Sequence, residues 1–249
     1  MEFVIWMVYI TIFAAIHLLV GVIPVSDPMW VSVLSSSSQA FIFILTIYIF
    51  RSYLCKADSL RSFSRKELKY CMWAVVIGVG ICLGHRILFF LFFDFVVHSL
   101  EDIGEVVISR QTAFAGTFLG LLYGGLIMPV IEEIFFRGVI FHTARQKRGN
   151  LYAVLISSFL FAIGHFNGVQ FISGIFMGLI IGYAIVLTGN VYIGVVIHVA
   201  NNSFSYLNIH VLNKLWNLEE EFIMAPIWLG ILLLVFGILM LRRETRKVT

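Results

Sequence analysis

The sequence predicts an all-α fold, a polytopic membrane bundle of about eight transmembrane helices. Three observations carry that expectation. Of the 249 residues, 60% are hydrophobic and 12% are charged, where an ordinary soluble domain carries about 25% charged residues. Mean hydropathy is +0.98, more apolar surface than one soluble core can hide, so the surrounding solvent is lipid. The apolar residues also fall into stretches close to the roughly 20 residues a helix needs to cross a bilayer.

Eight such stretches follow one another at 3–23, 31–50, 71–93, 113–142, 151–166, 169–187, 191–207 and 225–241. Only Met1 and Glu2 precede the first, with no basic segment and no small-residue cleavage site, so it reads as a retained helix and not as a removable signal peptide. The second holds four serines, 35–38, whose hydroxyls can bond to helix carbonyls or to neighbouring helices. The third contains His85 and Arg86, read as packing or snorkelling groups, with Asp94 as one partner for the arginine. Gly120 and Gly124 in the fourth, and Gly174, Gly178 and Gly182 in the sixth, stand four apart. Small residues at that spacing let helices approach closely. No repeat or linker divides the chain, which reads as one integral-membrane domain over 1–249.

Charge sets the expected orientation. Thirteen of the 17 Lys and Arg residues lie in three segments: the loop from Arg51 to Lys69, the loop from Arg145 to Arg148, and the tail from Arg242 to Lys247. Alternation of eight spans puts all three on one side, and the opposite loops hold only Arg110 and Lys214. By the positive-inside rule both termini are cytoplasmic, and the basic segments meet anionic headgroups. Nothing points to nucleic acid. Acidic groups at Glu101, Asp102 and Glu105, and at Glu219, Glu220 and Glu221, read as solvated outer loops. Cys55, Cys71 and Cys82 show no CxxC spacing, which argues against disulfides or a thiolate metal site.

The chemistry concentrates in the fourth span, MPVIEEIFFRGVIF. A charge at the bilayer centre costs roughly 2.5–3.5 kcal/mol on insertion scales, and ionisable residues there mark function by default. Glu133 and Arg137 are spaced i,i+4 and can pair along one helix face. Glu132 points about 100° away from Glu133 and about 140° from Arg137 at 3.6 residues per turn. A carboxylate left without its own cation is suited to act as a general base on water; the plainer reading is a charge cluster that ties helices together. Phe161 and His165 follow in the fifth span, and His198 and Asn202, again i,i+4, in the seventh. At 1.5 Å per residue, Glu132 lies about 20 Å, His165 about 21 Å, His198 about 10 Å and Asn202 about 16 Å from the cytoplasmic surface. Those depths are compatible with one cavity. His17, His98, His142 and His210 stand alone or near span ends.

These residues resemble a known pattern, that of the CAAX prenyl protease and bacteriocin-processing family of intramembrane proteases, also called the Abi family. Its Glu-Glu-x-x-x-Arg, Phe-x-x-x-His and His-x-x-x-Asn motifs read here as EEIFFR from Glu132 to Arg137, FAIGH from Phe161 to His165, and HVANN containing His198 and Asn202. The resemblance implies a catalytic core at 113–207, on spans four to seven, and hydrolysis of a peptide bond in or near a bacterial cell membrane. It implies that Glu132 activates water with help from His165, that His198 and Asn202 bind the substrate carbonyl, and that Glu133, Arg137 and Phe161 support them. Substrates would be CAAX-type prenylated C-termini, or leader peptides of bacteriocins or signalling peptides.

The family is described both as metalloproteases and as metal-free glutamate enzymes. Glu132, His165 and His198 would be the ligands of a zinc ion or other divalent metal. A metal bound by Glu132 would leave the site in need of another base, which favours the metal-free form. Two other classes compete. A non-catalytic protein of this family would bind and regulate a membrane partner such as a sensor kinase, a cell-wall enzyme or a bacteriocin-immunity target, and would be free to lose motif residues; none is missing. A proton-relaying transporter would carry matched repeats with broken helices, and the sequence has none.

Overall fold

The computed structural model describes residues 2–21, 28–53, 65–85, 87–88, 117–165, 168–207 and 220–247. Seven helices run through them: α1 Glu2–Gly21, α2 Pro28–Ile49, α3 Arg65–Gly84, α4 Phe118–Ile163, α5 Gly168–Thr188, α6 Val191–Leu207 and α7 Glu220–Arg246. A short 3-10 turn, Arg51–Tyr53, follows α2. There is no strand among the described residues. Cys55, Arg86, Asp94, His98, Arg110, His210, Lys214 and the acidic group at 101–105 lie outside them.

The helix that carries the two glutamates is irregular. α4 widens into π-helical turns at Leu121–Ile127 and again at Ile134–Phe141, around an ordinary α-helical stretch, Met128–Glu133. Pro129 opens that stretch. It has no N–H, and its ring crowds the carbonyl four residues earlier, a local reason for the turn before it to widen. At Gly149 the backbone leaves helical geometry (φ 79, ψ −177), a conformation open to glycine and costly for residues with a Cβ. The chain reverses there. Phe136 and Phe161, on opposite sides of the break, meet edge to face at 5.2 Å, so α4 is a helical hairpin of two arms.

The remaining helices pack around that hairpin. α5 lies along its second arm through the glycines that the sequence marked as small-residue packing. A methyl carbon built on Gly178 would sit 2.9 Å from Ser158 Cβ, and Gly174 and Gly182 face Ala162 and Val154 in the same way. α6 packs against α3 and the first π segment, and α7 packs against α3. Trp6 of α1 donates to the Leu160 carbonyl at 3.3 Å.

The turn between α5 and α6 is fixed by one side chain. The Gly189 N–H bonds back to the Ile185 carbonyl at 2.8 Å, ending α5. Asn190 Oδ1 then accepts from the Tyr192 N–H at 2.8 Å, and its Nδ2 donates to Glu67 on α3 at 3.0 Å. Replacing Asn190 with Ala removes both a cap and a tie between helices. The cap alone is worth about 0.5–2 kcal/mol. Thermal unfolding in detergent should show Asn190→Ala less stable than wild type, with Asn190→Ser, which keeps the cap but not the reach to Glu67, in between.

Several expectations need correction. By length and apolarity, four helical runs among the described residues qualify as membrane-crossing: Glu67–Gly84, Phe118–Ile163, Gln170–Thr188 and Ala225–Arg246. Eight do not. The fourth and fifth predicted spans form one helical run interrupted at Gly149, and α6 has 17 residues. Glu220 and Glu221 belong to α7 and not to a loop; acidic residues are favoured in a helix's first turn. The outward surface is nonetheless apolar. On α7, Trp228, Leu232, Val235 and Leu239 recur at helical spacing and are all more than half exposed, a stripe suited to lipid and not to water.

Candidate active site

Glu132 and Glu133 end the α-helical stretch of the first arm. Glu133 and Arg137 have no exposed surface, and Arg137 Nε lies 3.4 Å from Glu133 Oε2, the pair that the i,i+4 spacing predicts. The guanidinium sits over the Phe161 ring, 5.4 Å from its centroid, and its Nη2 is 3.5 Å from the Gly178 carbonyl of α5. Each buried charge thus has an opposite charge or dipole at hand, without which burial would cost several kcal/mol per ion.

His198 joins both carboxylates. Its Nδ1 is 3.0 Å from Glu133 Oε1, and its Nε2 is 3.7 Å from Glu132 Oε2. Glu133 therefore serves His198 as well as Arg137. A carboxylate has two oxygens with about four lone-pair sites, and Glu133 turns one oxygen to each partner. Gly194, one turn before His198, makes room: a methyl carbon there would lie 3.3 Å from Glu133 Oε2. Because an ionised carboxylate only accepts, Nδ1 carries the proton and Nε2 is the nitrogen turned to Glu132. At 3.7 Å those two atoms are too far apart for a direct hydrogen bond.

His165 is not within a helix, as the sequence suggested, but in the turn just beyond α4, which ends at Ile163 with Gly164 as its cap. Its Nδ1 donates to the Phe161 carbonyl at 2.9 Å, leaving Nε2 as the lone-pair nitrogen of the neutral ring. His165 is half-buried and within electrostatic reach of Glu132. Phe161 is the hub between the motifs. Its ring meets His165 at 4.7 Å, His198 at 5.5 Å and Phe136 at 5.2 Å, each close to perpendicular. Behind it, Phe136, Phe135, Phe43 and Tyr9 continue as a chain of ring contacts, an apolar wall on one side of the carboxylates.

Asn202 stands one helical turn beyond His198 but bonds elsewhere. Its Nδ2 donates to the Gly124 carbonyl at 3.0 Å, and its Oδ1 accepts from Asn201 at 2.9 Å. Ser203 donates to the next carbonyl, that of Gly125, at 3.0 Å. The seam between α6 and the first π segment is thus stitched side chain to backbone. Sequence reasoning missed the Gly124 and Gly178 carbonyls, since a backbone acceptor on another helix leaves no mark in residue type. It also missed Tyr206, for which there was a signal: the residue stands four beyond Asn202.

The three ligands that a metal would require do not form a set. Among the described residues no three His, Cys, Asp or Glu side chains are grouped so as to hold a metal ion. Cys71 and Cys82 are free thiols.

Fold and site together define a helical membrane protein whose carboxylate–histidine centre is enclosed by its own helices. Residues 113–204 match the family model described as Rce1-like, type II CAAX prenyl endopeptidase. The match spans all three motifs, and through this segment the chain is similar to the type II CAAX prenyl endopeptidases. No curated protein and no solved structure matches the chain.

Proposed function

We propose that this protein is an intramembrane endopeptidase that hydrolyses a peptide bond of a membrane-associated substrate, a CAAX-type C-terminus or a leader peptide. The observation that supports it most is the meeting of Glu132, Glu133 and His198 inside the family-matched segment, with a carboxylate oxygen and a ring nitrogen 3.7 Å apart.

In this reading Glu132 takes a proton from the attacking water while His165, through Nε2, holds the same water. The oxygen attacks the scissile carbonyl carbon. His198 and Asn202 face the oxyanion that results, and the proton passes to the leaving amine. Glu133 and Arg137 keep the helices and the His198 ring in place. Protein groups alone carry these steps. The eight helical arms, α4 counted as two, cross the bilayer with both termini cytoplasmic. The start of α3, the α5–α6 turn and the end of α7 then share the cytoplasmic end, as the Glu67–Asn190 bond and the proximity of Lys69 to Glu244 favour.

The test is purification in detergent and incubation with prenylated CAAX peptides and leader peptides, comparing wild type with Glu132→Ala and His165→Ala. Wild type should cleave, and both variants should lose activity by at least about 100-fold. Variants as active as wild type would remove the mechanism, and stoichiometric zinc in the purified protein would replace it with a metal-dependent one.

A further inference from the structure

The group proposed to bind the substrate carbonyl is short of donors. His198 gives its Nδ1 proton to Glu133, so Nε2 donates only when the ring is protonated. Asn202 spends one of its two amide protons on the Gly124 carbonyl. An oxyanion held by these two alone would have one assured hydrogen bond. Such sites work through several donors aimed at the developing charge, each worth roughly 10²–10³ in rate.

A third donor stands next in line. Tyr206 follows Asn202 by four residues on α6, extending the His198, Asn202 series by one more turn. Its ring is half-buried and within electrostatic reach of Glu132. Its hydroxyl rests on the Cα of Gly124, where any added methyl carbon would overlap the phenol oxygen. Gly124 therefore serves two residues at once: its carbonyl receives Asn202 and its bare Cα seats the Tyr206 hydroxyl. The sequence reading of Gly124 as a helix-packing glycine is sharpened accordingly. What approaches it is a phenol oxygen and not a helix backbone.

We propose that the Tyr206 hydroxyl is a substrate-binding donor of this site, which hydrogen-bonds the scissile carbonyl oxygen as it becomes an oxyanion, beside Asn202. This deepens the peptidase reading and rests on it. The phenol needs no change of protonation to donate, and its bond strengthens as charge develops on the oxygen.

The experiment measures kcat and KM on a prenylated CAAX peptide for wild type, Tyr206→Phe, Gly124→Ala, the double variant and Glu132→Ala. Tyr206→Phe removes only the hydroxyl, and kcat should fall about 10- to 1,000-fold with KM changed little. Gly124→Ala displaces that hydroxyl, so the double variant should be hardly worse than the worse single one, the non-additivity expected of coupled residues. Melting temperature in detergent is the second readout. A kcat unchanged in Tyr206→Phe, or a loss of kcat that tracks a lowered melting temperature, overturns the inference while leaving the peptidase reading intact if Glu132→Ala is inactive. A Glu132→Ala protein as active as wild type overturns the reading, and the inference falls with it.

Discussion

Glutamine at position 132 should lower peptide cleavage by about 10²–10⁴-fold, the usual contribution of a general base, with KM within a fewfold of wild type. The substitution keeps length and hydrogen-bonding shape but removes the group that can take a proton. No neighbour is free to replace it. Glu133 is one residue away, but its oxygens face Arg137 and His198 at 3.4 and 3.0 Å. An interaction made only in the transition state appears in kcat and not in KM, so full pre-steady-state binding with no turnover is the expected signature. A loss confined to KM would mean that Glu132 binds substrate without acting on water.

Methionine at position 137 should destabilise the protein by about 3–5 kcal/mol, because it leaves a buried carboxylate without its cation. Arg137 is among the largest side chains with no exposed surface, and it touches three elements at once: Glu133 on its own helix, the Phe161 ring on the second arm, and the Gly178 carbonyl on α5. Methionine fills much of the volume and supplies none of the charge. The decisive comparison is Arg137→Met with Glu133→Gln in one chain. Replacing both members of a buried pair is often close to neutral, and glutamine can still accept from His198. Unfolding in detergent should therefore show the double variant recovering most of the stability lost by the single one. If it stays as unstable as Arg137→Met alone, the arginine acts through packing and not through charge.

The site was legible in the sequence where chemistry repeats along one helix. The i,i+4 relation of Glu133 to Arg137 needs no knowledge of the rest of the chain, and the pair is there. The Phe161, His165 and His198 positions were legible as motifs. What His198 does with its two nitrogens was not, because Glu133 stands 65 residues earlier and only the packing of α6 on α4 decides which oxygen meets which nitrogen. The angles assigned to Glu132 and Glu133 assumed one uniform α-helix. Pro129 gave warning of an irregularity, but the second wide stretch, Ile134–Phe141, contains no proline and nothing local that announces it. Of the eight spans read from hydropathy, four helical runs among the described residues are long and apolar enough to qualify. Hydropathy registers apolar residues, and it does not report that 118–163 continues as helix up to one glycine.

The Glu133–His198 contact also has a consequence for the order in which the protein is made. At about 5–20 residues per second, synthesis of the 65 residues between them lasts about 3–13 s. Until residue 165 emerges the first arm of α4 carries Glu132 with no imidazole within reach, Glu133 lacks its second partner until residue 198, and Arg137 has neither Phe161 nor the Gly178 carbonyl until those residues emerge in turn. A nascent helix in that condition does not settle stably in lipid. An arm that entered the bilayer together with α5 and α6 would bury its charges already paired. The set of partners around these charges is complete only when residue 198 has been made.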